Sequence, residues 1–253
     1  MKGKGGAAGN YFVLNTGAKI PAIGLGTWQS GGDLCIEAVK TALDAGYRHF
    51  DCSHLYGNEV EVGEALSEAF ESGGINREDV FLTSKLYCTT NSSKRIENTV
   101  RVSFKNLGVS YLDLYLVHWP ESFAFSDATD PPWKSASEYR QFSNRLKPTW
   151  KAMEALVESG LVRAIGVSNF SVRQIEELLQ FANIVPAVNQ PVFCREGALN
   201  SSPSNKAMFK DNQWILANLE PFNLLLSLSK KLNSQAHCVS TICIELPYLH
   251  SYC

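Results

Sequence analysis

The chain has 253 residues, of which 45% are hydrophobic, 19% charged and 11% aromatic, a balance that excludes a disordered tail, a collagen-like repeat and a coiled coil. Its 23 basic and 25 acidic side chains leave a formal net charge of -2, with no basic excess to hold a phosphate backbone, so no nucleic-acid partner is expected. No apolar run reaches the roughly 20 residues of a membrane-spanning helix, so no membrane partner is expected either.

Residues 1–10 combine lysines and glycines without an apolar segment and read as a flexible leader, not a secretory signal. Tyr11–Leu14 and Lys19–Ile23 predict a β-hairpin turning at Gly17, and Gly24–Thr27 a strand. The spacing of Leu34, Ile36, Val39, Ala42 and Leu43 predicts a helix over Leu34–Ala45, stopped by Gly46 in a left-handed cap. A strand at His49–Cys52, a helix at Asn58–Glu71 and a strand at Val80–Leu86 follow. Next come a helix at Ser92–Leu107, closed by Gly108, and an almost wholly apolar strand at Leu112–Val117. A long loop over 121–147 carries Phe123, Phe125, Trp133, Tyr139 and Phe142, and is either an aromatic lid or a plain connector. Pro148–Ser159 reads as a helix, Val162–Val167 as a strand, Val172–Phe181 as a helix and Ala187–Asn189 as a strand.

Strands alternating with helices in this way imply a parallel sheet with helical crossovers. An open nucleotide-binding sheet would carry G-x-G-x-x-G after its first strand, and Gly24-Leu-Gly26-Thr-Trp-Gln29 lacks the third glycine. The expected fold class is therefore α/β, a (β/α)8 barrel of the TIM type with an N-terminal hairpin, and about 250 residues is the usual size of one. The rhythm breaks after residue 190. Of the 18 glycines only Gly197 lies beyond that point, and no clean strand–helix pair can be picked out there. Strands 7 and 8 are thus not recognisable and the barrel reads as incomplete. Leader 1–10, barrel strands 1–6 over 11–190 and a divergent tail over 191–253 are the expected divisions. Seven cysteines occur without a CxxC pair or zinc-ligand spacing, as in a reduced cytoplasmic protein with no structural metal. Cys52 and Cys88 read as small buried residues.

In such a barrel the reactive groups stand at the C-terminal ends of the strands. Those ends deliver Asp51 with Tyr56 just beyond, then Lys85, His118, Ser168 with Asn169, and Gln190. Taken singly, an Asp before a helix is a cap, a lone His is hydrogen-bonded structure, a Lys is surface and a Tyr is rim or core. A carboxylate, a phenol, an amine and an imidazole on adjacent strand ends together make a proton donor. An ammonium beside a phenol is expected to lower its pKa from the usual value near 10, and a carboxylate to hold that ammonium charged. A histidine beside the phenol would orient a carbonyl oxygen. The set suits carbonyl reduction, with the hydride coming from a cofactor.

Gly46-Tyr-Arg-His-Phe-Asp51-Cys-Ser, followed by Tyr56-Gly-Asn-Glu59 and Gly63, resembles the first signature of the aldo-keto reductase family. Leu161-Val-Arg-Ala-Ile-Gly166-Val-Ser168-Asn169-Phe170 resembles its second signature, and the strands ending in Lys85-Leu and His118-Trp119-Pro120 resemble its lysine and histidine strands. The resemblance runs over about 11–190, and its flavour is similar to plant-type members acting on small aldehydes and ketones. It implies NADP(H) as cofactor, an aldehyde or ketone as small-molecule partner, and a monomer. It implies Tyr56 as general acid, tuned by Lys85 and Asp51, with His118 orienting the carbonyl. It further implies Ser168, Asn169 and Gln190 on the nicotinamide carboxamide, Thr27 and Asp51 near the cofactor, and Trp28 and Trp119 lining the substrate pocket. The family's motifs for the seventh and eighth strands, which grip the adenosine 2′-phosphate, are not found between Pro191 and Cys253. The expectation is that a different reading frame or a retained intron supplies the tail. A reductase and an inactive truncated isoform acting as a binding or regulatory protein are the two readings that result.

Overall fold

The computed structural model describes residues 11–87, 93–120 and 136–190. A hairpin of β1 (Tyr11–Val13) and β2 (Lys19–Pro21) precedes β3 (Leu25–Gly26), α1 (Gly32–Asp44), β4 (His49–Asp51) and α2 (Glu59–Glu71). Then come β5 (Phe81–Leu86), α3 (Ser93–Leu107), β6 (Leu114–Val117), α4 (Ala136–Glu158), β7 (Ile165–Ser168), α5 (Val172–Leu179) and β8 (Asn189–Gln190). Strands β3 to β8 pair in sequence order and all in parallel. A doubly wound sheet reverses direction at its middle; this one does not, so its winding is that of a barrel. Among the described residues β3 and β8 each pair on one side only.

All six residues of β5 are buried, because both faces of the strand are covered. Leu82 and Leu86 join the layer between sheet and helices with Phe50, Leu66, Tyr115 and Trp150. Phe81, one face over, joins the barrel floor with Leu114, Leu116, Ala164, Ala187 and Val188, sealed by Leu14 and Ile20 of the hairpin region. The side-chain period of two therefore sends Phe81, Thr83 and Lys85 inward, from floor to mouth. His49 ties floor to hairpin, with Nε2 3.1 Å from Thr83 Oγ1 and Nδ1 3.4 Å from the Pro21 carbonyl.

At the opposite end from the mouth, Arg77 and Arg163 lie on either side of the Tyr111 ring, 4.1 and 4.0 Å from its centroid. Both donate to Asp113, at 2.8 and 3.1 Å, and Asp113 also accepts the Leu82 N–H. Groups at this end of a barrel serve stability.

One expectation is overturned. The sequence predicts a loop over 121–147 and a helix starting at Pro148, but α4 begins at Ala136 and holds Pro148 inside it. Proline removes one intrahelical hydrogen bond. Strong helix formers precede it (Ala136, Glu138, Arg140, Gln141, Arg145). Leu146, Trp150, Met153 and Leu156 then bury one continuous stripe, and Trp150 Nε1 donates to the Ile184 carbonyl at 3.0 Å. Packing on both sides of the proline outweighs the lost bond. Tyr139 and Phe142 thus belong to a helix, while Phe123, Phe125 and Trp133 lie outside the described residues, as do the leader 1–10, Cys88 and the expected divergent tail 191–253. No helix among the described residues is long and apolar enough to cross a membrane.

Candidate active site

Strand β4 ends on Asp51, and a single 3-10 turn over His54–Tyr56 carries the chain onward. Ser53, with extended backbone at φ -158°, caps that turn by accepting the Leu55 N–H at 3.2 Å. Gly57, at φ 70°, ends it in the left-handed conformation that glycine adopts without strain. The turn sets Tyr56 against Lys85, which β5 delivers from the neighbouring strand.

Lys85 is 1% exposed. Its Nζ donates to Asp51 Oδ1 at 2.6 Å, to the Cys52 carbonyl at 3.1 Å and to Tyr56 Oη at 3.1 Å. An ammonium has three hydrogens, and all three have acceptors. Burial works to discharge Lys85, but the Asp51 carboxylate, the Tyr56 phenol and the hydrogen bonds to both outweigh it, so its pKa stands above the ordinary lysine value. The charged ammonium is the favoured form.

The phenol runs against expectation. Burial raises the Tyr56 pKa, Lys85 pulls it down, Asp51 pushes it up again, and the net direction is upward. The reason is geometric: Asp51 lies closer to the ammonium than Tyr56 does, so the phenol faces a nearly neutral pair while burial still acts on it. Tyr56 is therefore a protonated phenol whose oxygen accepts from Lys85, and whose own hydrogen must point elsewhere.

His118, at the end of β6, meets Tyr56 edge-on, with ring centroids 5.7 Å apart and planes at 79°. Burial, and then Lys85, push its pKa down to about 3, so the imidazole is neutral. Trp119 stacks beside it at 6.1 Å and is partly exposed.

A second group forms where β7 and β8 end. Ser168 Oγ donates to the Gln190 carbonyl at 2.6 Å, and Asn169 Nδ2 donates to Ser168 Oγ at 3.1 Å and to the His118 carbonyl at 3.0 Å. Asn169 holds the left-handed region at φ 64°, which Asn tolerates better than most residues. The structure thus brings Ser168, Asn169 and Gln190 together and joins them to His118. Thr27 braces the other side: its N–H and Oγ1 both donate to the Asp51 carbonyl at 3.1 Å. Trp28 stands apart from this hydrogen-bonded cluster and is 57% exposed. Among the described residues no cluster of His, Cys, Asp and Glu is arranged to hold a metal.

Two further residues take part, neither of them given a role by the resemblance. Ser53 is fully buried, with Oγ 3.3 Å from His118 Nδ1. Glu59, 2% exposed at the start of α2, accepts from Ser84 Oγ at 2.8 Å and Asn106 Nδ2 at 3.3 Å, pinning α2 to β5 and α3 beneath the site. The signal for Ser53 was present, since a serine ahead of a short turn closed by glycine is a capping pattern.

The aldo/keto reductase family model matches residues 22–211, which carries the similarity past the end of β8. Aldo-keto reductase family 1 member A1 of Sus scrofa is 47% identical over 185 residues, covering 72% of this chain and 56% of that protein. The Xenopus tropicalis counterpart is 48% identical over 181 residues, covering 71% and 55%. Among solved structures, the aldose reductase of Schistosoma japonicum superposes with a TM-score of 0.61 at 40% identity, covering 72% of this chain and 60% of that one. A Bombyx mori aldo-keto reductase in complex with NADP gives a TM-score of 0.62 at 35% identity, covering 72% and 58%. The chain spans a little over half the length of the curated relatives it matches. With the matched family model covering most of its residues and the sheet winding as a barrel, the chain belongs to the aldo/keto reductase family.

Proposed function

We propose that this chain reduces an aldehyde or ketone to the alcohol with NADP(H), Tyr56 acting as the general acid. The observation that carries this is the saturation of Lys85. Its three hydrogens end on Asp51, Cys52 and Tyr56, so the phenol accepts from a cation and keeps its own hydrogen for an outside acceptor. When bound, the reduced nicotinamide supplies the hydride to the carbonyl carbon. Tyr56 gives its hydrogen to the carbonyl oxygen, and Lys85 stabilises the phenolate that remains. His118, neutral and edge-on to Tyr56, donates to the same oxygen and holds it in line. Asp51 keeps Lys85 charged and in place.

The donor set at β7 and β8 fits a carboxamide, which needs both donors and acceptors. Ser168 Oγ meets the Gln190 backbone carbonyl there, and Ser168, Asn169 and the Gln190 side chain would hold the nicotinamide amide. Thr27 and Trp28 would flank the cofactor and substrate, and Trp119 would line the substrate side. The solved Bombyx mori relative in complex with NADP supports the same cofactor for this chain.

The test is NADPH oxidation with an activated aromatic aldehyde. Tyr56→Phe is expected to lower kcat by roughly 10²- to 10⁴-fold with the fold unchanged by circular dichroism. Folded wild-type protein without NADPH-dependent turnover refutes the reading. Binding of NADPH without turnover, read by quenching of tryptophan fluorescence, selects the non-catalytic alternative.

A further inference from the structure

A neutral imidazole carries one hydrogen, on Nδ1 or on Nε2. Nδ1 of His118 faces Ser53, so only the Nε2–H form has a hydrogen for a carbonyl oxygen. Which form is present can be assigned from the hydrogen-bond network.

Ser53 is fully buried. Its hydroxyl has one hydrogen and two lone pairs. One lone pair takes the Leu55 N–H at 3.2 Å, and its other partner among the described residues is His118 Nδ1 at 3.3 Å. Suppose Nδ1 carried the hydrogen and gave it to Ser53. The oxygen would then accept twice, and its own hydrogen would be buried with no acceptor among the described residues, an arrangement that native interiors avoid. The reverse order satisfies each atom: Leu55 N–H to Ser53 Oγ, and Ser53 O–H to His118 Nδ1. The ring hydrogen is left on Nε2. The Asn169 bond to the His118 carbonyl at 3.0 Å steadies the backbone that carries the ring.

We propose that Ser53 is a positioning residue that holds His118 in the Nε2–H tautomer, ready to donate to a carbonyl oxygen. Its purpose rests on the reductase reading above, but the hydrogen-bond assignment does not.

Nitrogen-15 spectra of the full chain labelled at histidine, with His118 assigned by His118→Asn, report the tautomer at neutral pH. The expected result is a pyridine-type Nδ1 and a pyrrole-type Nε2. Wild-type protein with the hydrogen on Nδ1 overturns the proposal whatever its turnover. Ser53→Ala is expected to mix the two tautomers and lower kcat/KM for an aromatic aldehyde about tenfold, with NADPH affinity unchanged. Ser53→Thr, which keeps the hydroxyl, is expected to restore both readouts. Wild-type tautomer and turnover in a folded Ser53→Ala variant also overturn it. If Ser53→Ala does not fold, the wild-type and Ser53→Thr spectra decide. A wild-type chain without carbonyl turnover removes the functional reading and still returns its tautomer in the spectrum.

Discussion

Lys85 is an ammonium in the interior of a barrel, and it keeps its charge because Asp51 sits 2.6 Å away and two further oxygens complete its shell. Removing one member of such a buried pair leaves the other uncompensated. Lys85→Ala is therefore expected to destabilise the fold by about 3–5 kcal/mol in denaturant unfolding, and Asp51→Asn in the same background should recover much of that. Equal stability of Lys85→Ala and wild type would contradict the geometry. The phenol is tested by ultraviolet titration of wild type against Tyr56→Phe. Burial outweighs Lys85 at Tyr56, so the Tyr56 phenolate is expected only above the usual tyrosine midpoint of about 10; a phenolate signal near neutral pH would refute it. Asp51, Lys85 and His118 were legible in the sequence because charged or polar groups interrupt apolar strands at one end. The direction of the phenol shift was not, because it depends on how closely Asp51 screens Lys85. Ser53 escaped assignment because its partner is 65 positions away in the chain.

At the scale of elements, the helix-stopping glycines were readable: Gly46, Gly108 and Gly160 sit at φ 92°, 66° and 73°. Gly63 lies inside α2 and was not readable in this way, because its reason lies on another helix. A Cβ there would stand 2.3 Å from the Asn106 carbonyl oxygen and 2.9 Å from Leu107 Cα. Both are backbone atoms, so the helices must separate. Gly63→Ala is expected to destabilise the fold by roughly 1–3 kcal/mol and to loosen the Glu59–Ser84 bond beneath Lys85. Gly74→Ala, where the nearest atom is a side-chain oxygen at 4.0 Å, is the matched control. Equal unfolding midpoints for the two variants would refute the close-packing account. The start of α4 departs from its sequence signal for the complementary reason. Pro148 is a strong local stop signal, while the burial of Leu146, Trp150 and Met153 that overrides it is a tertiary fact.

For the whole molecule, the parallel sheet and its barrel winding followed from the spacing of strands and helix stops, since each crossover has the length of one helix. Among the described residues the sheet is six strands wide, with β3 and β8 each paired on one side only. The barrel interior also predicts an acid response. Burial foremost pushes the pKa of His49 down to about 4, against the opposing pull of Asp51, and His118 goes down to about 3. Both rings are neutral when folded and take up protons more readily when unfolded, so stability is full above the unfolded value of about 6.5 and declines as pH falls. The decline runs from about 6.5 to about 4 for His49 and on to about 3 for His118. The His49 share is on the order of 3 kcal/mol. Denaturant unfolding from pH 7 to pH 4 is expected to show this loss, with a shallower slope in His49→Gln; a flat wild-type profile would contradict it.

With its three hydrogens already committed, Lys85 has no spare one to lend. Once Tyr56 has released its hydrogen, the lysine could refill it only by becoming neutral beside Asp51, whose carboxylate favours the charged ammonium. The hydrogen for the next cycle must then come from solvent at the mouth. On the proposed mechanism the proton supply is an open circuit: each turnover draws one hydrogen from water, and whatever restricts water at the strand ends sets how fast the site can be reset.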